Sequence, residues 1–191
     1  MNRIKVHIRN TCHQLENLMF YGDLPTWYYR KRGMKVGIDF NRQSGTKFDP
    51  LHCYLIEIGN HVTIANYVQF LAHDHAAKLF AGHYKIGKIV IGDYVFIGAR
   101  TLILPNVRIG DHVLIAAGSV VTRDIPANCV AAGVPARVIS TIEEYTKKCE
   151  KEIRESPVLE NIYAYGKHLP AQKKEEIKEA CKESARYIRG S

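Results

Sequence analysis

The segment FLAHDHAA sets three proton-handling side chains side by side: His73, Asp74 and His75. An imidazole titrates near neutrality, so a positioned histidine can take a proton from a hydroxyl without a large shift in its pKa. His73 is the candidate catalytic base. Asp74 is the second candidate, either to orient a histidine or to hold an acceptor. His75 reads as a second base, an acceptor contact or an idle neighbour. His61, His83 and His112 add raw material for a metal site, but histidines at i and i+2 make an unusual ligand pair, and no metal is expected.

What must position these residues is a repeat. Ile58, Ile64 and Phe70 are six apart, and Ile91, Ile97, Ile103, Ile109, Ile115 and Val121 continue at six without a miss. A glycine or alanine often follows the anchor: Gly59, Ala65, Gly92, Gly98, Gly110, Ala116. Period six is not the 3.6 of a helix, and one uninterrupted strand of that length, punctuated by glycine, is not feasible. A coiled parallel β-structure resolves the conflict. Each six residues form one flat side of a prism, the anchor points inward, the small residue helps turn the corner, and stacked turns share one core. The two blocks are out of phase, so the coil is interrupted at His73 to Lys88, and a loop thrown from a regular scaffold is a place for function.

The stretches IGNHVTIANYVQF (58–70) and IGDYVFIGARTLILPNVRIGDHVLIAAGSVVTRDIP (91–126) resemble the hexapeptide-repeat acyltransferases, over roughly Lys35 to Ile139. The resemblance implies a mainly β fold, a left-handed parallel β-helix, with three equivalent active sites between the subunits of a homotrimer. It places the base at His73, with Asp74 beside it as in the family's Thr-His-Asp and Ala72 in place of the threonine. His75 stands where many relatives have glycine. The closing segment AAGSVVTRDIPANCVAAGVPARVI (116–139) resembles the family's groove for the pantetheine arm of acetyl-CoA, the expected co-substrate. That assigns Ala99, Ala116, Ala117 and Gly118 to the arm, and Thr122, Arg123 and Arg137 to its phosphates. Small residues admit a ligand close to the backbone, and guanidinium forks fit phosphate oxygens. The segment 48–75 looks most like the sugar O-acetyltransferases of polysaccharide assembly, so a sugar or sugar-nucleotide hydroxyl is the expected acceptor. Transfer to an antibiotic or an amino sugar is the alternative. A non-catalytic scaffold is the alternative of another class. The fold also hosts a zinc-dependent carbonic anhydrase, whose histidine spacing this chain does not match.

Composition agrees with that reading and excludes others. The chain has 191 residues, 46% hydrophobic and 24% charged, as in a globular protein. Neither a spanning apolar run nor a secretory leader stands in it, so no membrane insertion and a cytoplasmic location are expected. Five cysteines without CxxC spacing argue for reduced thiols rather than a disulfide framework or structural zinc. The net charge of +8 is spread along the chain without a nucleic-acid-binding motif, so no nucleic acid partner is expected. Residues 1–34 are expected to form a helical capping segment, with Phe20, Tyr21, Trp27, Tyr28 and Tyr29 closing the prism and 33–49 its irregular first turn. The β-helix covers 35–139 with loop 73–88. Residues 140–191 form a helical appendage, with helices over Ser140 to Glu155 and Ala171 to Arg189.

Overall fold

The computed structural model describes residues 24–156, 158–159 and 169–188. The chain divides into two units, Met1–Ile142 and Glu143–Ser191.

The first unit is a three-sided parallel coil. Its strands are β1 (Lys35–Val36), β2 (Asn41–Arg42), β3 (Lys47–Phe48), β4 (Ile56–Ile58), β5 (Thr63–Ile64), β6 (Gln69–Phe70), β9 (Ile89–Ile91), β10 (Phe96–Ile97), β11 (Leu102–Ile103), β12 (Val107–Ile109), β13 (Leu114–Ile115) and β14 (Val120–Val121), with β7 (His73–Asp74) and β8 (Lys85–Ile86) in a side loop. The chain visits the three sides in turn. The first side is β1-β4-β9-β12, the second includes β2, β5, β10 and β13, and the third is β3-β6-β11-β14, each in parallel register. Every sixth residue therefore faces the axis, and Ile58, Ile64, Phe70, Ile91, Ile97, Ile103, Ile109, Ile115 and Val121 are all buried. Between them Val62, Val68, Val95, Val107 and Val113 fill the corners from inside. The second side ends in β15 (Cys129–Gly133) and an antiparallel β16 (Ala136–Thr141), which stops the parallel stacking.

The first coil is more regular than expected. Val36, Arg42 and Phe48 stand at the same six-residue spacing and pair with Ile58, Ile64 and Phe70. Arg42 at an anchor position disguised the repeat. It is tolerated because this coil lies at the open end of the core. There its guanidinium donates to Thr26 Oγ1 at 3.0 Å, to Thr46 O at 3.0 Å and to Leu24 O. The end is closed by helix α1 (Thr26–Lys31), whose Tyr29 is buried edge-on against Phe48, with ring centroids 5.1 Å apart. Of the other aromatics expected to close the prism, Trp27 is exposed, while Phe20 and Tyr21 lie outside the described residues.

The register of two corners makes room for a site. Phe48 to Ile58 takes ten residues instead of six, through the 3-10 turn Cys53–Leu55, and Phe70 to Ile91 takes 21. Both extra segments leave the same corner, from the third side to the first, on adjacent coils. The longer one is a β7–β8 antiparallel pair carrying helix α2 (Ala76–Ala81), with its base closed by Gly87 N–H donating to Ala72 O at 2.9 Å.

The second unit holds helix α3 (Ile142–Glu155, which begins one residue inside the first) and helix α4 (Ala171–Ala180). Helix α4 stops well short of Arg189. After Cys181 the chain leaves the helix through a series of bends, Leu159 N–H donates to Tyr187 O at 2.8 Å, and the Tyr187 hydroxyl donates to Glu152 at 2.6 Å. These contacts hold the last described residues away from helical geometry. Among the described residues no helix is long and apolar enough to cross a membrane.

Candidate active site

The two extended corners bring together residues that lie far apart in the chain. Phe48 pairs with Phe70, so Asp49 and the turn after it stack against Leu71 to His73. Asp49 is buried, with both carboxylate oxygens committed. Oδ1 accepts from the backbone N–H of Leu51 and of His52, each at 3.0 Å. Oδ2 is hydrogen-bonded to His73 Nδ1. His73 itself is half-buried in β7. An ionised carboxylate accepts only, so the proton in this bond sits on His73 Nδ1. A neutral His73 then carries its lone pair on Nε2, the form required of a base.

Asp49 is the residue that sequence reasoning missed. Asp74 is close in sequence but turns outward, where its Oδ1 accepts from Ala76 N–H at 2.8 Å at the start of helix α2. The carboxylate that orients the histidine is therefore Asp49. His75 is exposed, its ring 4.8 Å from that of His73 and 4.4 Å from Tyr84. His52 completes the cluster, its ring 4.9 Å from that of His73. The readable signal was the register. Aligning Phe48 with Phe70 sets FDPLH directly on FLAHDH.

The residues assigned to a pantetheine arm form a column on the corner between the second and third sides. Gly118 N–H donates to Ala99 O at 2.8 Å, and Arg100 N–H donates to Asn66 O at 2.9 Å, so Asn66, Ala99 and Ala117 lie on successive coils. The coils meet closely here. A Cβ on Gly98 would lie 2.4 Å from Ala117 N, so only glycine fits. Gly118 has φ of 71°, which glycine adopts without strain. Thr101 and Ser119 are buried beneath, their hydroxyls donating to Gly98 O at 2.8 Å and to Ala116 O at 2.7 Å respectively. Beside the column runs an open cleft of about 510 Å³ lined by Tyr67, Gln69, Arg100, Thr101, Leu102 and Val120. Thr122 and Arg123 are exposed beyond it. Arg137 is exposed on β16 and donates from Nη1 to Ala136 O at 2.8 Å. Among the described residues this column and the His73 cluster stand on different corners of the coil, the first between the second and third sides, the second between the third and the first.

The comparisons with known proteins fit this geometry. Residues 88–123 match the model of the bacterial transferase hexapeptide family, six repeats. YvoF of Bacillus subtilis, which bears an acetyltransferase name, is 36% identical over 129 residues, 67% of this chain and 73% of its own. The chain belongs to the hexapeptide-repeat acetyltransferases. CapG of Staphylococcus aureus is 41% identical over 62% of this chain and 72% of its own. The galactoside O-acetyltransferase of Escherichia coli is 37% identical over 62% of this chain, which spans 60% of that enzyme. Among solved structures, a maltose O-acetyltransferase from Clostridium difficile superposes with a TM-score of 0.51 at 31% identity, covering 73% of this chain and 89% of that one. The protein is thus an acyltransferase, and acetyl-CoA is the co-substrate its family implies.

Proposed function

We propose that this acetyltransferase moves an acetyl group from acetyl-CoA to a hydroxyl of a sugar or sugar nucleotide, with His73 as the base. The observation that carries the reading is the buried Asp49 carboxylate on His73 Nδ1. It holds the imidazole in the tautomer whose Nε2 can accept a proton. The acceptor hydroxyl gives its proton to Nε2 as its oxygen bonds to the thioester carbonyl carbon. The imidazolium that forms is stabilised by Asp49. Collapse of the tetrahedral intermediate breaks the carbon–sulfur bond, and the proton passes from Nε2 to the departing thiolate. The thioester comes along the Ala99–Ala117 column, where Ala117 and Gly118 are exposed, with Thr122, Arg123 and Arg137 for the CoA phosphates. Because that column and His73 lie on different corners of the coil, the reading takes the enzyme as a cytoplasmic homotrimer of left-handed coils, each site built from two neighbours. The sugar acceptor is supported by the galactoside and maltose enzymes among the relatives.

The test is thiol release from acetyl-CoA against a panel of sugars, nucleotide sugars, amino sugars and antibiotics. Turnover with a sugar hydroxyl that falls at least 100-fold in His73→Ala, with CoA binding retained, supports the reading. Turnover only on an amine moves the activity to N-acetylation, and no CoA binding at all leaves a scaffold.

A further inference from the structure

We propose that Asp49, His52 and His73 form an inhibitory site for a divalent transition metal ion of the zinc type. Among the described residues this is the group of His, Cys and acidic side chains whose ligand atoms converge, all within 4.8 Å of one another. The decisive atom is His52 Nδ1. It is buried and has no hydrogen-bond partner. Asp49 Oδ2 stands 3.5 Å from it, too long for a hydrogen bond. Around a tetrahedral zinc with bonds of about 2.1 Å, neighbouring ligand atoms stand about 3.4 Å apart. The orphaned nitrogen and the carboxylate are therefore already at ligand spacing. The carboxylate is also held in place from behind, since Leu51 and His52 N–H both donate to Oδ1 at 3.0 Å. That is the outer-sphere support that ligating carboxylates characteristically have. Two imidazoles and one carboxylate, with the remaining position left to water, suit Zn²⁺ or Co²⁺ rather than Mg²⁺ or Ca²⁺.

The ion acts against the transfer reaction. To coordinate through Nδ1, His73 must present a lone pair there. Its proton moves to Nε2, and the bond to Asp49 is replaced by bonds from both residues to the metal. The ring stays neutral, but its nitrogen facing the acceptor now carries a proton and accepts none. Removal of the ion restores the first tautomer, so the inhibition is reversible.

The binding arm of the test needs no knowledge of the substrate. Metal-free full-length protein is titrated with Co²⁺ while its visible absorption is followed, and the Co²⁺ is then displaced with Zn²⁺. Wild type is expected to give tetrahedral Co²⁺ bands, lost on addition of one equivalent of Zn²⁺. His52→Gln and His52→Phe, each checked for native circular dichroism, are expected to weaken binding at least tenfold. His83→Ala, at an exposed histidine elsewhere in the loop, is expected to leave it unchanged. Equal binding in wild type and both His52 variants, or no Co²⁺ bands in wild type, overturns the site. The inhibition arm rests on the proposed acetyl transfer. Zn²⁺ should stop wild-type turnover and a chelator should restore it, while the His52 variants need at least tenfold more metal. Metal binding that leaves turnover untouched overturns the inhibitory role. Absence of any turnover in metal-free wild type sinks the proposed function instead, and the Co²⁺ titration still decides the site.

Discussion

Replacing Asp49 by Asn asks whether its carboxylate sets the tautomer of His73 or merely fills space. The amide has nearly the same shape, and its oxygen can still accept from Leu51 and His52 N–H, both 3.0 Å from Oδ1. The amide nitrogen then lies where Oδ2 meets His73 Nδ1. An NH₂ group donates and does not accept, so His73 must turn its Nδ1 lone pair toward it and carry its proton on Nε2. The imidazole stays in place with the wrong nitrogen exposed. In a serine protease triad, the same substitution under a catalytic histidine costs about 10⁴ in kcat. Here the nucleophile is likewise a hydroxyl, but the electrophile is an activated thioester rather than an amide, so we expect about 10³, equivalent to about 4 kcal/mol of barrier at 1.36 kcal/mol per decade. The assay is steady-state thiol release with wild type and Asp49→Asn, alongside thermal melts and acetyl-CoA binding. The expected result is a fall in kcat with KM for acetyl-CoA and the melting temperature nearly unchanged. A kcat within threefold of wild type in a folded variant refutes the tautomer argument, and with it the role given to Asp49.

Other features of the coil give independent tests. Gly98→Ala places a methyl 2.4 Å from Ala117 N and 2.7 Å from Ala116 C, backbone atoms that cannot step aside. It should destabilise the protein by about 1–3 kcal/mol in urea unfolding and raise KM for acetyl-CoA. Glu57 lies 2.8 Å from both Lys35 and Lys88, and their hydrogen bonds hold its carboxyl below the usual carboxylate range. A depressed folded pKa means stability present above the ordinary carboxyl pKa and lost as pH falls through the folded value. Both lysines are largely exposed, so Glu57→Gln should cost only about 0.5 kcal/mol at pH 7, and the difference from wild type should vanish in acid. Burial pushes the Cys53 thiol above its ordinary pKa, whereas Cys181 is exposed. Alkylation at pH 8 followed by mass spectrometry should label Cys181 promptly and Cys53 only on unfolding.

The repeat was legible because its cause is local. Each side of the prism must send one aliphatic side chain to the axis, and that demand is printed in the sequence every six residues, from Ile91 to Val121 without exception. It faded where the core ends. At the open end, Arg42 takes an anchor position because a guanidinium there can reach Thr26, Leu24 and Thr46, so the first coil reads as irregular although its strands keep the register. The proposed base was legible for a different reason, since His73 opens the long interruption of the repeat, where the family resemblance places a histidine. Its partner was not. Asp49 is 24 residues earlier, in what looks like a slack corner, and adjacency in sequence favoured Asp74 instead. In a coiled fold the nearest neighbours of a residue are those one turn away, not those beside it in the chain. A turn whose corner is lengthened still returns to the same side, so Phe48 pairs with Phe70, and the polar residues following each are forced together. The two lengthened corners, which break the period when the chain is read in one dimension, are the two halves of the candidate site when the coils are stacked. His52 lies in the same corner, three residues after Asp49, and its orphaned nitrogen has the same origin: the loop that buries Asp49 for His73 buries the Nδ1 of a second imidazole with it.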